Sequence, residues 1–189
     1  MNTKELKGAL AGKVRGEVSD DTETLKMLSR DTSLFERMPA LVAYPKDAND
    51  VSAIVKEVVR ARGVGAAVSL AARSAGTDMS GGPLTTSIVV SFTKHMNHMG
   101  EVVLREDAQD GSAGFATTEP GVYYRDFERA TLAKGLIMPS YPASRELAAM
   151  GGIVANNAGG ERTLKYGKTE KYVEEVEVIL SDGSLATFK

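Results

Sequence analysis

The sequence contains no cysteine and no tryptophan, and its only histidines are His95 and His98. The lack of cysteine excludes disulfides, thiolate zinc sites, iron–sulfur clusters and cysteine-linked cofactors within this chain. Two histidines leave few candidates for general-base catalysis by imidazole. Any redox chemistry of this chain therefore needs an imported cofactor.

Long hydrophobic runs and an excess of positive charge are also absent. No apolar run approaches the roughly 20 residues that a transmembrane helix needs, so no membrane span is expected. The chain has 23 basic and 25 acidic residues, a net charge of −2, which argues against nucleic acid as a partner. Residues 1–10 lack the apolar middle of a secretory signal, and we therefore expect a cytoplasmic protein.

The length and the hydrophobic pattern predict one domain with a terminal arm. Residues 1–38 form a polar arm with short helical pieces, one of them after the capping candidates Ser19, Asp20 and Asp21, and residues 39–189 form the domain. The domain alternates strands and helices without strict βαβ order, which predicts an α+β fold with mixed or antiparallel sheets and flanking helices.

Periodicity places the elements of the domain. The expected strands are residues 41–44, 66–70, 88–92, 101–105 and 114–118, followed by a hairpin whose turn is Asp182-Gly183. One helix, capped by Asn49 or Asp50, ends at Gly63, and a second covers residues 123–134. Tyr123, Tyr124 and Phe127 in that second helix are expected to lie in the core.

Glycine is abundant, with 19 residues, and it concentrates in two segments. The first, residues 71–83, follows a predicted strand and is rich in small residues, which let backbone N–H groups approach a phosphate closely. Arg73 adds a positive charge, and Thr77 and Ser80 add hydroxyl donors. A merely tight connection is the alternative, but an anion-binding loop explains the composition better.

The second glycine-rich segment, residues 150–160, adds the amides of Asn156 and Asn157, which suit the polar edges of a ligand. It is predicted to be neither helix nor strand. Two such segments, with residues 139–144 just upstream, suggest a long ligand held at several points, as a dinucleotide would be.

Other motifs fail when their spacing is tested. Gly167-Lys168-Thr169 resembles the end of a P-loop, but Arg162 stands where the motif requires glycine. Residues 63–68 lack the third glycine of a dinucleotide fingerprint and follow a helix. His95 and His98 have no third ligand nearby in sequence, so a surface loop is favoured and no metal site is predicted.

Several segments together carry a resemblance to a known family. They are Tyr44-Pro45-Lys46, residues 73–82, Pro120-Gly121-Val122, Met138-Pro139-Ser140, Gly151-Gly152, residues 157–160, Lys165-Tyr166-Gly167 and residues 180–183. In order and spacing, residues 27–188 resemble the FAD-binding, PCMH-type domain of the vanillyl-alcohol-oxidase superfamily. Within it, the chain is most similar to D-lactate and glycolate dehydrogenase-like FAD-linked oxidases.

The resemblance implies that the first loop binds the FAD pyrophosphate and that the later segments line the rest of the cofactor. The implied cofactor-binding residues are Arg73, Ser74, Ala75, Gly76, Thr77, Asp78, Met79, Gly121, Pro139, Ser140, Tyr141, Pro142, Ala143, Ser144, Gly151, Gly152, Ala155, Asn156 and Asn157. Thr77 stands where members with histidyl-linked flavin commonly carry His, so noncovalent FAD is expected. Asp78 is unfavourable beside a pyrophosphate unless it points away or bonds a backbone N–H.

The implied activity is oxidation of a small 2-hydroxy acid, such as D-lactate or glycolate, by hydride transfer to the flavin. No catalytic residue is assigned in this chain, because family members bind substrate through a later cap domain. The substrate is thus expected to bind through a missing cap domain or a partner subunit. The last strand is expected to leave an exposed sheet edge, which would favour self-association or weak FAD retention. The alternatives are a noncatalytic FAD- or nucleotide-binding module or split-oxidoreductase subunit, a UDP-N-acetylenolpyruvoylglucosamine reductase, and a glycine-rich interaction domain.

Overall fold

The computed structural model describes residues 3–105 and 113–189. The elements in chain order are α1 (Thr3–Ala11), β1 (Glu17–Ser19), α2 (Thr22–Met27), β2 (Leu41–Tyr44), α3 (Ala48–Gly63), β3 (Leu70–Arg73), β4 (Ile88–Ser91), β5 (Val103–Leu104), β6 (Gly114–Phe115), α4 (Tyr124–Leu132), α5 (Met150–Ala155), α6 (Thr163–Tyr166), a 3-10 turn (Thr169–Tyr172), β7 (Val176–Ile179) and β8 (Leu185–Phe188). These helices with parallel and antiparallel strands confirm the predicted α+β class.

The main sheet has the strand order β1-β2-β4-β3. β2, β4 and β3 run parallel, whereas β1 pairs antiparallel with β2 at the edge. The carboxyl ends of the three parallel strands, at Tyr44, Ser91 and Arg73, therefore open at the same edge of the sheet. Ligands of open parallel sheets bind at that edge, and the first glycine loop begins there.

Two large hydrophobic cores and a smaller cluster of Leu28, Val42 and Val89 stabilise the fold. In the first, Leu6 and Leu10 of α1 pack with Leu41 of β2, Ile54 of α3 and Ile88 of β4, so the N-terminal arm packs against the sheet. The second lies between α4 and α5 and contains Val122, Tyr124, Phe127, Tyr141, Ala148, Met150, Ile153 and Ala158. The core positions predicted for Tyr124 and Phe127 are confirmed, whereas Tyr123 lines a cavity.

The prediction that residues 150–160 form neither helix nor strand is wrong, because Met150–Ala155 is the helix α5. Met150 and Ile153, three residues apart, bury their side chains on one side of it. A Cβ added to Gly151 would lie 2.6 Å from the Cβ of Pro120, so this glycine allows close packing. The glycine at this position serves the close approach of two segments.

The predicted cap of α3 is also wrong, because Asp47 caps this helix by accepting a 3.0 Å bond from the N–H of Asp50. Asp50 is instead buried, and its carboxylate accepts from the backbone N–H groups of Arg15, Gly16 and Lys46 at 2.9–3.0 Å. Three backbone donors satisfy a carboxylate that would otherwise be costly to bury. This residue joins the arm to the beginning of α3.

The strand predicted at residues 66–70 begins four residues before β3 and ends three residues before β3 ends, because β3 covers Leu70–Arg73. Its pairing with β4 sets the register, with Leu70 opposite Ile88 and Arg73 opposite Ser91. Arg73 is therefore the last residue of the strand, and the loop starts at Ser74.

Two small antiparallel sheets, β5–β6 and β7–β8, complete the described residues. The predicted hairpin is confirmed: Gly183 has φ +83°, and Asp182 accepts a 2.8 Å bond from the N–H of Ser184. The Ser52 hydroxyl donates a 2.5 Å bond to the carbonyl of Gly183, which fixes the hairpin on α3. Among the described residues β8 pairs with β7 alone.

Candidate functional site

The first glycine loop, residues 74–82, bends around the side chain of Arg73. Gly76 has φ +73° and Gly81 has φ +85°, in the left-handed region that favours glycine. A Cβ on Gly76 would lie 2.5 Å from the Cζ of Arg73, so a larger residue would displace the guanidinium. The loop conformation therefore needs glycine at position 76 for both its backbone and its contact.

Three consecutive backbone donors of this loop are available to a ligand. Within the part of the chain that the structure describes, the N–H groups of Ala75, Gly76 and Thr77 have no hydrogen-bond acceptor. All three residues are half-buried. Successive unpaired N–H groups around a left-handed glycine suit the oxygens of an anion such as phosphate.

Asp78 turns its carboxylate into its own loop. Its Oδ2 accepts from the Ser80 hydroxyl at 2.8 Å and from the Gly82 N–H at 2.6 Å. The Ser80 hydroxyl is the main cause that lowers the pKa of Asp78 below its ordinary value, and the backbone N–H of Gly82 adds to it. The Asp78 carboxylate thus bonds a backbone N–H, which is one of the two arrangements that make it compatible with a neighbouring pyrophosphate.

Arg73 is buried and faces the N-terminal arm. Its Nη2 donates a 2.8 Å hydrogen bond to the carbonyl of Arg30. Its Nη1 and the Oδ2 of Asp31 are buried without a hydrogen-bond partner among the described residues. Burial lowers the pKa of Arg73, and the charge of Asp31 opposes that shift. The guanidinium is thus engaged behind the loop.

Three predicted segments meet at the carbonyl oxygen of Pro120. The Ser74 hydroxyl and the Gly151 N–H both donate to it at 2.9 Å. Gly121 donates from its N–H to the carbonyl of Met96 at 2.8 Å. The structure therefore brings the first loop, Pro120-Gly121 and the start of α5 together at one junction.

The predicted cofactor-binding residues in and after α5 differ in solvent exposure. Gly152, Ala155 and Asn156 are exposed, and the Cβ position of Gly152 lies 3.8 Å from the Cβ of Ser74. Asn157 has φ +44°. Its side-chain Nδ2 donates a 2.6 Å hydrogen bond to the carboxylate of Glu170, and its Oδ1 accepts a 3.0 Å bond from the backbone N–H of Glu170. The Asn157 amide is therefore already engaged, whereas that of Asn156 lies at the surface.

Residues 139–144 follow the junction on the side of the second core. Ser140 is buried and donates to the carbonyl of Ala158 at 3.2 Å, and Tyr141 is buried with its hydroxyl 3.0 Å from Glu161. Pro139, Pro142 and Ser144 are half-buried, and Ala143 is exposed. The side chains of Ser140 and Tyr141 thus hold this segment in place, and the exposed surface belongs mainly to its later residues.

A cavity of about 650 Å³ lies at the carboxyl ends of the parallel strands. It is lined by Arg73, Ser74 and Ala75 of the first loop, by Tyr44, Ser91, Thr93, Lys94 and Tyr123, and by the arm residues Glu17, Ser19, Thr24, Met27 and Leu28. A second cavity, of about 370 Å³, is lined by Gly121 and its neighbours, and Tyr123 lines both. The two cavities flank the junction.

The first cavity also contains charged residues that the sequence did not single out. Lys94 lies 3.1 Å from a carboxylate oxygen of Glu17 and 4.8 Å from the ring centroid of Tyr44. Burial opposes the charged form of Glu17, but hydrogen bonds from His95 and Lys94 outweigh it and lower the pKa of Glu17. His98 bonds Glu119 instead, with its Nδ1 at 2.9 Å, so the two histidines contact different carboxylates.

Comparisons with known proteins find relatives of this chain. A family model described as an FAD binding domain matches residues 39–189. The glycolate oxidase subunit GlcD of Bacillus subtilis is 34% identical over 98% of this chain and 37% of that protein. D-2-hydroxyglutarate dehydrogenase of Pseudomonas putida is 29% identical over 89% of the chain, and D-lactate dehydrogenase of Archaeoglobus fulgidus is 32% identical over 82%. The chain spans only 37%, 16% and 34% of the lengths of these three relatives.

Solved structures share the fold at lower identity. Alkyldihydroxyacetonephosphate synthase matches with a TM-score of 0.77 at 17% identity, over 100% of this chain and 35% of that chain. A glucooligosaccharide oxidase from Acremonium strictum, described with a 6-S-cysteinyl, 8α-N1-histidyl FAD, matches with a TM-score of 0.74 at 20% identity, over 97% of this chain and 36% of that one. The PCMH-type fold is therefore confirmed. Among the described residues, no helix has the length and apolar character needed to cross a membrane.

Proposed function

Because the chain belongs to the family of FAD-binding domains of flavin oxidoreductases, we propose that it holds FAD noncovalently across the Pro120 junction. The observation that carries this proposal is the row of free N–H groups at Ala75, Gly76 and Thr77 beside that junction. These donors suit the pyrophosphate, and the half-buried loop excludes part of the water that would compete for it.

The remaining predicted residues supply the rest of the cofactor surface. In this proposal, Gly152, Ala155 and Asn156 border FAD with exposed surface on α5, and Pro142, Ala143 and Ser144 border it farther along. Small side chains at these positions let a flat ring approach the backbone. Arg73, Ser140, Tyr141 and Asn157 support this surface through the hydrogen bonds described above.

Noncovalent attachment is supported by the positions of the histidines. The chain has no cysteine, and His95 and His98 bond Glu17 and Glu119. Thr77, which stands at the position that commonly links flavin through histidine, cannot form such a bond. Denaturation is therefore expected to release unmodified FAD.

The pyrophosphate assignment is tested by comparing ligands. Titration of the full chain with FAD, FMN and riboflavin, followed by flavin fluorescence, is expected to give much tighter binding of FAD. FMN has a single phosphate and lacks the adenosine half, and ADP should compete with FAD. Equal affinities for FAD and riboflavin would overturn the assignment, because the loop would then contribute nothing.

The proposed activity of the whole protein is oxidation of a small 2-hydroxy acid, as the names of the three curated relatives suggest. When bound, FAD supplies the hydride acceptor, and the residues of this chain bind and orient it. The substrate is proposed to meet a cap domain or a partner subunit, and no residue of this chain is assigned to its chemistry. Anaerobic bleaching of the flavin by glycolate, D-lactate or D-2-hydroxyglutarate, with such a partner added, tests the activity.

A second candidate is a noncatalytic FAD-binding subunit of a split oxidoreductase. The name of the Bacillus relative, a glycolate oxidase subunit, favours this alternative. Tight FAD binding without hydroxy-acid-dependent bleaching, even with a cap-bearing partner, would support it. The cytoplasmic location stays a prediction from the sequence.

A further inference from the structure

The N-terminal arm reaches the first glycine loop through residues 30–35, called here the arm segment. Thr32 donates from both its N–H, at 3.2 Å, and its hydroxyl, at 2.8 Å, to the carbonyl oxygen of Asp78. The carbonyl of Arg30 accepts the 2.8 Å bond from Arg73. Phe35 lies beside Gly81, where an added Cβ would be 3.0 Å from its ring. The arm segment thus contacts the beginning, the middle and the end of the loop.

The contact with Asp78 fixes the direction of a peptide group. Because the carbonyl oxygen of Asp78 accepts two hydrogen bonds from Thr32, it points toward the arm. A carbonyl oxygen that turned toward the phosphate side would repel an anion, so this orientation favours anion binding. The bonds hold the middle of the loop, one residue after the free N–H of Thr77.

Buried charged atoms of Arg73 and Asp31 lie at the base of the loop. Arg73 is 8% exposed, and Gly76 lies over its guanidinium. The Nη1 of Arg73 and the Oδ2 of Asp31 are buried without a hydrogen-bond partner among the described residues. The charge of Asp31 opposes the effect of burial on the pKa of Arg73, so removal of that charge would leave the buried guanidinium less well compensated.

The arm segment lies outside residues 39–189, which match the FAD-binding family. We propose that Asp31 and Thr32 are positioning residues for cofactor binding, which hold the loop at residues 75–78 in its anion-binding conformation. This inference rests on the proposed site. It extends the functional unit to a segment that precedes the matched family region.

The test compares Thr32→Val, which removes the hydroxyl at nearly constant shape, with Thr32→Ser, which keeps it. Thr86→Val serves as the matched control, because Thr86 is exposed and lies outside the loop. Amide hydrogen exchange of residues 75–82 in the FAD-free chain reports on the loop directly. FAD affinity is measured in parallel by fluorescence titration.

We expect Thr32→Val to speed exchange in the loop and to weaken FAD binding about fivefold, the effect of one lost hydrogen bond. Loop exchange and FAD affinity of Thr32→Ser should stay near those of the original chain, and those of Thr86→Val should equal them. The melting temperatures of all these variants should agree with that of the original chain within about 3 °C. Asp31→Asn should change loop exchange and FAD affinity in the same direction as Thr32→Val.

Unchanged loop exchange and FAD affinity in Thr32→Val would overturn the inference. Faster exchange spread over β2 and α3 would also overturn it, since that would mean general destabilisation. If the original chain binds no FAD, the proposed function fails, while the exchange comparison still decides whether Thr32 positions the loop.

Discussion

Ser74 and Gly151 donate to the same acceptor, the carbonyl oxygen of Pro120, each at 2.9 Å. These residues are 77 positions apart in the chain, and each belongs to a segment predicted to line the cofactor. A shared acceptor keeps the spacing between the two segments fixed. A ligand that bridges them therefore meets a preformed surface.

Removal of one of these bonds should affect cofactor binding more than folding. Ser74→Ala leaves Gly151 as the remaining donor to Pro120, so we expect only a small change in melting temperature. FAD affinity, measured by titration, should fall several-fold, as expected for the loss of one hydrogen bond. Ser181→Ala, at an exposed residue, is the control, and equal FAD affinities in the two variants would contradict the role of Ser74.

Gly76 and Gly65 allow backbone strain to be separated from a steric clash. Both have positive φ, +73° and +84°, but a Cβ on Gly65 meets nothing within 4 Å, whereas one on Gly76 meets the Arg73 guanidinium. Gly65→Ala should cost about 1–2 kcal/mol of stability through its left-handed backbone alone. Gly76→Ala should cost more and should abolish FAD retention.

Thermal unfolding measures the stability of the two variants. Flavin absorption after addition of FAD and desalting measures how much FAD each variant retains. Retention of FAD by Gly76→Ala at the level of Gly65→Ala would contradict the assignment of the loop.

The buried carboxylate of Glu57 makes stability depend on pH. Hydrogen bonds from Arg60, with further contacts from Lys13, lower the pKa of Glu57 to about 2 against the opposing effect of burial. Because the folded pKa lies below the ordinary value of 4.5, this stabilisation is present above pH 4.5 and is lost as pH falls toward 2. Urea unfolding between pH 6 and pH 3 should show the loss.

Glu57→Gln should lower stability at pH 6 and flatten its fall toward pH 3, because the glutamine does not titrate. Parallel curves for Glu57→Gln and the original chain would show that this carboxylate is not the source of the pH dependence.

The exposed strand β8 is expected to promote self-association. Leu185 and Phe188 are about half exposed, at 54% and 52%, and among the described residues β8 has β7 as its only partner. Unpaired strand edges with apolar side chains pair readily with other chains. Sedimentation velocity over a concentration series should show association that Leu185→Lys reduces.

Val64→Lys is the control, because it adds the same charge at an exposed apolar residue outside the sheets. Equal reduction by both variants would indicate a general charge effect rather than pairing at β8.

The local pattern predicted α3 and the β7–β8 hairpin, because each depends on a short periodic run and a turn signal. It failed at α5, where the two adjacent glycines suggested a loop, although Gly151 actually packs against Pro120. The start of β3 was also missed, because pairing with β4 sets its register. Both features depend on contacts between residues far apart in the chain, which a short stretch of sequence does not reveal.

In the candidate site, too, local composition was informative, whereas contacts between distant residues were not predictable. The composition of residues 73–82 predicts an anion-binding loop, and the proposal that it binds phosphate rests on the free N–H groups of Ala75, Gly76 and Thr77. The orientation of Arg73 toward Arg30, 43 residues away in the chain, was not predictable from spacing. Lys94 was missed as a cavity residue because the pairing of β3 with β4 places the end of β4 beside the loop. Tyr123 was missed because its position depends on its bridge to Ala149, farther along the chain.

A noncovalent FAD site is tested most directly by the visible absorption spectrum of the chain after addition of FAD and desalting, taken before and after denaturation. We expect flavin bands that stay with the folded chain, and we expect unfolding to release the flavin as unmodified FAD. Loss of all flavin on desalting, or flavin that remains attached to the unfolded chain, would contradict a noncovalent FAD site at the Pro120 junction.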